Sequence, residues 1–224
     1  MILKNRPFVR EAPTKEAKSI YIFCEGAVRE YDYFKYFSEI DSRINVEVYK
    51  LSNGENNSPL GLLEIAKKSI LKDHNNPNPK YDFQDIDEVW IVLDTDPDES
   101  HSRKTQIVDV KDFCSTTERW EICESNPCFE VWLFFHINKA VTPFKDDHVC
   151  KGWKSKVHET ISGGFNSIKH PILIDDAIEN SKKYFKTNKD GSPAKGCTEV
   201  YLLGESLTTT LRAKLDKALV NIRK

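Results

Sequence analysis

Residues 86–98 read IDEVWIVLDTDPD. The first eight are short, β-branched and aromatic, and they become wholly apolar before an acid arrives. That predicts a buried strand over 86–93 with Asp94-Thr95-Asp96 at its carboxyl end. Working outward toward the N-terminus, residues 19–24 (SIYIFC) form a second such run, and Glu25-Gly26 follows at once. Residues 28–40 (VREYDYFKYFSEI) then place Val28, Tyr31, Phe34 and Phe37 every third position, which predicts a helix with one apolar face.

The intervening chain keeps alternating. Residues 44–51 (INVEVYKL) read as a strand and 60–71 as a helix, with SNGENNSP before it and HNNPNPK after it as breakers. Beyond the D-x-D, 105–114 reads as a helix and 120–123 (WEIC) as a short strand. Ser125-Asn126-Pro127 has the form of a helix start, with Asn as cap and Pro at the first helical position. The run CFEVWLFFHI behind it is apolar on most sides, so that helix is expected to be buried. Repeated β-α alternation predicts an α/β fold with a mainly parallel sheet flanked by helices on both faces. The remainder reads as helical over 151–161, 171–185 and 197–221, with a polar Gly/Pro loop at 186–196. The expected division is a polar arm over 1–18, an α/β core over 19–140, and a helical region packed on it over 141–224.

Composition sets limits. The 224 residues are 39% hydrophobic, 11% aromatic and 30% charged, enough for a sizeable core in a soluble chain. No apolar run approaches the roughly 18 residues that cross a bilayer, and residues 1–19 lack a signal-peptide core, so cytoplasmic residence and no membrane are expected. The six cysteines contain no C-x-x-C pair, and Cys123, Cys128 and His136 fit no familiar zinc spacing, so reduced structural thiols are expected. Net charge is −2 but unevenly spread: residues 151–224 carry 14 Lys/Arg against 8 Asp/Glu. Residues 81–100 carry eight acids and no Lys or Arg. Such crowding is relieved by separation on a surface or by a cation. The basic third suits either phosphates or a solvated helical face.

Open parallel sheets bind ligands beyond the carboxyl ends of their strands. Glu25 and the pair Asp94 and Asp96 fall there. Oxygen-only ligands suit a hard cation, Mg²⁺ or Mn²⁺, which serves phosphate chemistry. Glu30, one turn into the next helix, is either a ligand for a second metal or an exposed acid. Ser125 and Asn126 would contact substrate or metal-bound water if their helix start faced the site; otherwise Asn126 only caps. Glu130 is either a ligand or a structural partner, and His136 is expected to be a buried, hydrogen-bonded histidine.

Three blocks in this order, CEGxxxExxYF (Cys24 to Phe34), VLDTD (Val92 to Asp96) and SNPCFEVWLFFH (Ser125 to His136), resemble the RloB family. The likeness runs from about Ser19 to Leu207 and includes PAKGCTEVYLL (Pro193 to Leu203). One departure is Val28-Arg29, where family members carry Thr or a similar small residue. The resemblance implies a Toprim-like fold, similar to topoisomerases, DnaG-type primases and OLD-family nucleases. There a Glu after the first strand and a D-x-D after a later one hold Mg²⁺, here Glu25, Asp94 and Asp96. It also implies a place in bacterial anti-phage or abortive-infection systems and nuclease action on DNA or RNA, tRNA included. A separate ATPase partner is implied too, since the chain has no P-loop, and a homo-oligomer is compatible with this. OLD-type nucleases also use a basic residue near the leaving oxygen; among Lys186, Lys189 and Lys195, Lys195 is the first candidate. Trp153 and Phe165 would stack on bases or pack in the core.

Two other readings stay open. One is a non-cleaving regulatory or nucleic-acid-binding subunit. The other is a phosphatase of the haloacid dehalogenase type, supported by D-T-D and by Asp175-Asp176 after PILI.

Overall fold

The computed structural model describes residues 18–38, 40, 45–95 and 101–222. Residues 1–17 of the expected 1–18 arm, and Asp96, lie outside them. The chain forms β1 (Ser19–Cys24), α1 (Arg29–Ser38), β2 (Asn45–Tyr49), α2 (Pro59–Ile70), β3 (Glu88–Asp94), α3 (His101–Thr116) and β4 (Trp120–Asn126). It continues through α4 (Glu130–Phe135), α5 (Cys150–Thr160), a 3₁₀ turn at Pro171–Leu173, α6 (Ile174–Tyr184), β5 (Cys197–Thr198) and α7 (Val200–Ile222). The sheet order is β2-β1-β3-β4-β5, parallel except for β5. This is the α/β fold that the alternation predicts.

Period-two alternation divides the strand side chains between two cores. Ile20, Ile22, Cys24, Trp90, Val92 and Cys123 face one side and pack with α1, α4, α5, α6 and α7. Tyr21, Phe23, Val89, Ile91 and Leu93 face the other and pack with α2 and α3. Trp153 and Val157 of α5 and Leu203 and Leu207 of α7 belong to the first core, so the C-terminal region shares its core with the sheet. Among the described residues no helix is long and apolar enough to cross a membrane.

Two local expectations need correction. Ser125-Asn126-Pro127 does not start a helix: β4 runs through Asn126, and α4 begins only at Glu130. Ser125 pairs with Asp94 on β3 and with Thr198 on β5, and this two-sided ladder overrides the local signal. The Asn126–Pro127 peptide is cis. Residues 197–198 are also not helical. They are the edge strand β5, antiparallel to β4, entered from Gly196 at φ 76°. That left-handed conformation favours glycine, and two residues are too few to carry a strand periodicity.

Candidate functional site

The chain leaves β1 for β2 on one side and β3 for β4 on the other. The carboxyl ends of the adjacent strands β1 and β3 therefore flank the switch point, where such sheets bind ligands. Glu25 follows β1 and Asp94 ends β3. The Asp94 N–H donates to Glu25 Oε2 at 3.3 Å, while the Glu25 N–H donates to the Val92 carbonyl at 3.3 Å. The two acids thus sit side by side.

Glu30, in the first turn of α1, folds back over Gly26. A methyl group on Gly26 would fall 1.7 Å from Glu30 Oε2. The glycine is needed for this close approach. Glu130, in the first turn of α4, is buried, with Arg29 Nε 3.6 Å from its Oε1. Burial pushes the Asp94 carboxyl well above the carboxylate range, with Glu30, Glu25, the Cys150 thiol and Glu130 adding to it. Burial also raises Glu30, to about 7, with Glu130 and Glu25 raising it further and Lys154 opposing. The structure therefore brings Glu25, Glu30, Asp94 and Glu130 into one mutually repelling group.

Arg103, buried on α3, is the counter-charge of Glu25. Its Nη2 donates to Glu25 Oε2 at 2.6 Å and to the Asp94 carbonyl at 2.6 Å, and its Nε reaches the same carbonyl at 3.2 Å. The oxygen-rich donor set fits a hard divalent cation, whose charge would relieve the repulsion that raises Asp94 and Glu30. Among the described residues, no three Asp, Glu, His or Cys side chains converge tightly enough to hold an ion as they stand. Coordination would require Glu25 to turn from Arg103, or Asp96 to contribute.

With this geometry in place, the sequence model of the family described as RloB-like protein matches residues 20–207, most of the chain. The chain belongs to the RloB-like family. No curated protein and no solved structure matches it.

In this RloB-like chain the SNPCFE block serves the sheet as well as the acid group. Ser125 is fully buried, and its hydroxyl hydrogen-bonds Thr198 Oγ1 at 2.8 Å. Asn126 donates from Nδ2 to the Pro193 carbonyl at 2.8 Å, and its own carbonyl accepts from Gly196 N–H at 2.8 Å. Both side chains have structural partners, and neither caps a helix. Lys195 Nζ lies 3.0 Å from Asp147 Oδ1, and Lys186 lies beside the Tyr184 ring. Lys154, exposed on α5, is the lysine whose charge acts on Glu30.

His136 is buried, with Nε2 at 3.1 Å from the Tyr33 hydroxyl and Nδ1 at 3.1 Å from the Trp132 carbonyl. Burial lowers its pKa to about 3, so it is a neutral core histidine. Cys123 and Cys128 are buried without a disulfide. Trp153 is buried with its indole N–H on the Asp147 carbonyl, and Phe165 packs on Tyr33 and His136, so both belong to the core. Asp175 opens α6 and is held by both Nη atoms of Arg212 at 2.8 Å, away from any strand end. That removes its support for a phosphatase. Sequence reasoning missed Arg103, Lys154 and Cys150. Their helices come near the acid group only in three dimensions, and no spacing marks them in the sequence.

Proposed function

We propose that this chain is a metal-dependent phosphodiesterase of the Toprim type that cuts DNA or RNA. We further propose that it does so in a bacterial anti-phage system beside a separate ATPase. One observation carries the reading: Glu25 and Asp94, from different strands, meet at the switch point with Glu30 and Glu130 in the same electrostatic group. Glu25, Asp94 and Asp96, with Glu30 and Glu130, are the residues assigned to hold Mg²⁺ or Mn²⁺. When bound, such an ion polarises a phosphoryl oxygen and favours hydroxide formation.

The chain's own residues have distinct tasks. Arg103 holds the Glu25 carboxylate against the Asp94 backbone. Glu30, folded back over Gly26, is assigned either to hold the ion or to accept a proton from an attacking water. Lys154 on the rim beside Glu30 offers a charge to the substrate phosphate, a role it fits better than Lys195, which is paired with Asp147.

A second reading, a non-cleaving Toprim-like subunit, is favoured by the Arg103–Glu25 pair, since a guanidinium already neutralises one assigned ligand. Incubation with plasmid, single-stranded DNA and tRNA, with Mg²⁺ or Mn²⁺ and with the partner ATPase present or absent, separates the two. Cutting that disappears in Asp94→Asn supports the enzyme. Metal-independent binding with no cutting in any arm supports the subunit.

A further inference from the structure

A cavity of about 300 Å³ opens on the α3 side of the sheet, directly beside the acid group. That volume lies at the small end of ligand pockets. Thr95, the residue after Asp94, and Asn126 at the end of β4 form its inner edge. Ile107 and Val108 of α3 supply an apolar wall, and Val108 is 53% exposed there. Lys104 and Lys111 bring positive charge from the same helix, with Lys111 paired to Glu124 and Lys104 acting on Asp190 across the cavity.

The opposite wall is the 186–196 loop, which is a pinned hairpin. Asn188 N–H donates to Ser192 O at 2.8 Å and Ala194 N–H to Lys186 O at 2.8 Å, with Gly191 at φ 80° in the turn. The two Asn126 hydrogen bonds, to Pro193 and from Gly196, fasten this hairpin to β4. It presents Asn188 and Ser192 to the cavity, where Asn188 Nδ2 donates to Ser192 Oγ and the Pro193 carbonyl and Ser192 Oγ donates to Asp190. The wall is therefore preformed, which lowers the ordering cost of a ligand.

One polar atom in this wall is unexplained. Thr95 Oγ1 is buried and has no hydrogen-bond partner among the described residues. A buried hydroxyl left unpaired is costly, and such orphans commonly mark a ligand or water position. The required occupant has a flat apolar face for Ile107 and Val108 and a polar edge along the Asn188 and Ser192 side. It also carries a negative charge that Lys104 can meet in place of Asp190. A nucleotide has all three features.

We infer that this cavity takes the base of one unpaired nucleotide, whose adjoining phosphate lies at the Asp94 end of β3. The inference rests on the nucleic-acid reading above and narrows its substrate class to an unpaired or extruded strand. A cavity of this size holds one base and excludes a base pair. Thr95 and Asp94 are consecutive, so base and phosphate of one nucleotide would lie at the two faces of one strand end.

The test uses the full chain with Ca²⁺, a hard cation that takes oxygen ligands, and gel analysis checks that the strand stays intact. Fluorescence anisotropy would follow a labelled single-stranded hexanucleotide and the matching duplex, with free mononucleotide as competitor. Val108→Trp fills the cavity from an exposed position, and Ser192→Trp fills it from the hairpin. Thermal melting checks that each folds. Each should weaken single-strand binding about tenfold, the scale of one lost base contact, and leave duplex binding unchanged. Equal binding by wild type and both variants overturns the inference, as does binding of free mononucleotide but not of the hexanucleotide. Metal-dependent cutting that needs Asp94, with no Trp effect on binding, removes the pocket and leaves the nuclease. The Trp effect with no cutting under any metal removes the nuclease and leaves the pocket.

Discussion

Arg103 and Glu25 are joined at 2.6 Å, and the same guanidinium nitrogen lies 2.6 Å from the Asp94 carbonyl. One side chain from α3 thus ties together the ends of β1 and β3. Both partners are mostly buried, so removing the cation strands a carboxylate and a carbonyl. Arg103→Ala is expected to lower the free energy of unfolding by ~3 kcal/mol, measured by urea titration. Arg103→Lys should recover only part of it, because an ammonium cannot make the same fork. A full recovery would show that charge alone matters at this position.

Stability should fall from mild acid to neutral pH. Glu30 has a folded pKa of about 7 against an ordinary 4.5, and Asp94 is raised well above 3.8. A folded state that retains protons the unfolded state has released is favoured by acid. This contribution is complete below about pH 4.5 and is lost as pH rises through about 7. For Glu30 it amounts to at most ~3 kcal/mol. Glu199, also raised to about 7 by burial and then by Glu124, acts in the same direction. Urea unfolding at pH 5 and pH 8 reads the difference, and Glu30→Gln should shrink it.

A divalent ion should reverse that loss. Protons and metal compete for the same oxygens, so Mn²⁺ or Mg²⁺ should raise the melting temperature more at pH 8 than at pH 5.5. At an ion concentration a hundred times Kd the gain is ~3 kcal/mol, about 5–10 °C for a chain of this length. Asp94→Asn should abolish the shift. An unchanged melting temperature in millimolar Mn²⁺ at pH 8 would remove the metal from this site.

Gly26→Ala tests the close approach of Glu30. The added methyl meets the far end of a flexible side chain, so Glu30 is displaced while the backbone stays in place. The expected result is a melting temperature within a few degrees of wild type, with Mn²⁺ binding by calorimetry weakened at least about tenfold, ~1.4 kcal/mol. Unaltered binding would show that Glu30 is not a ligand.

His136 should stay neutral throughout the physiological range. Its pKa near 3 keeps its NMR ring signals unmoved between pH 5 and pH 8. Its sign is opposite to that of Glu30: the unfolded histidine binds a proton below about 6.5 while the folded one does not. Its contribution is therefore complete above that value and fades as pH falls toward 3. A titration of His136 centred near 6.5 would contradict its place between Tyr33 and Trp132.

The two acids that define the site were legible because each follows a strand whose apolar run is unmistakable. Residues 19–24 and 86–93 each announce a buried strand, and the acid directly after each must lie at a strand end. The α/β class followed from the same alternation, a property of period and length within single segments. SNPCFE misled because its local chemistry favours a helix start, whereas pairing of Ser125 with both Asp94 and Thr198 holds it in the sheet.

Sequence order by itself determined that strands and helices alternate and that Glu25 and Asp94 fall at strand ends, since backbone period and hydrophobic burial act within a few residues. Tertiary structure decided which charges meet them. Arg103 reaches Glu25 across 78 positions, and Glu30, Glu130, Cys150 and Lys154 converge from three separate helices. Electrostatic fields depend on distance through space, and only the folded sheet sets those distances.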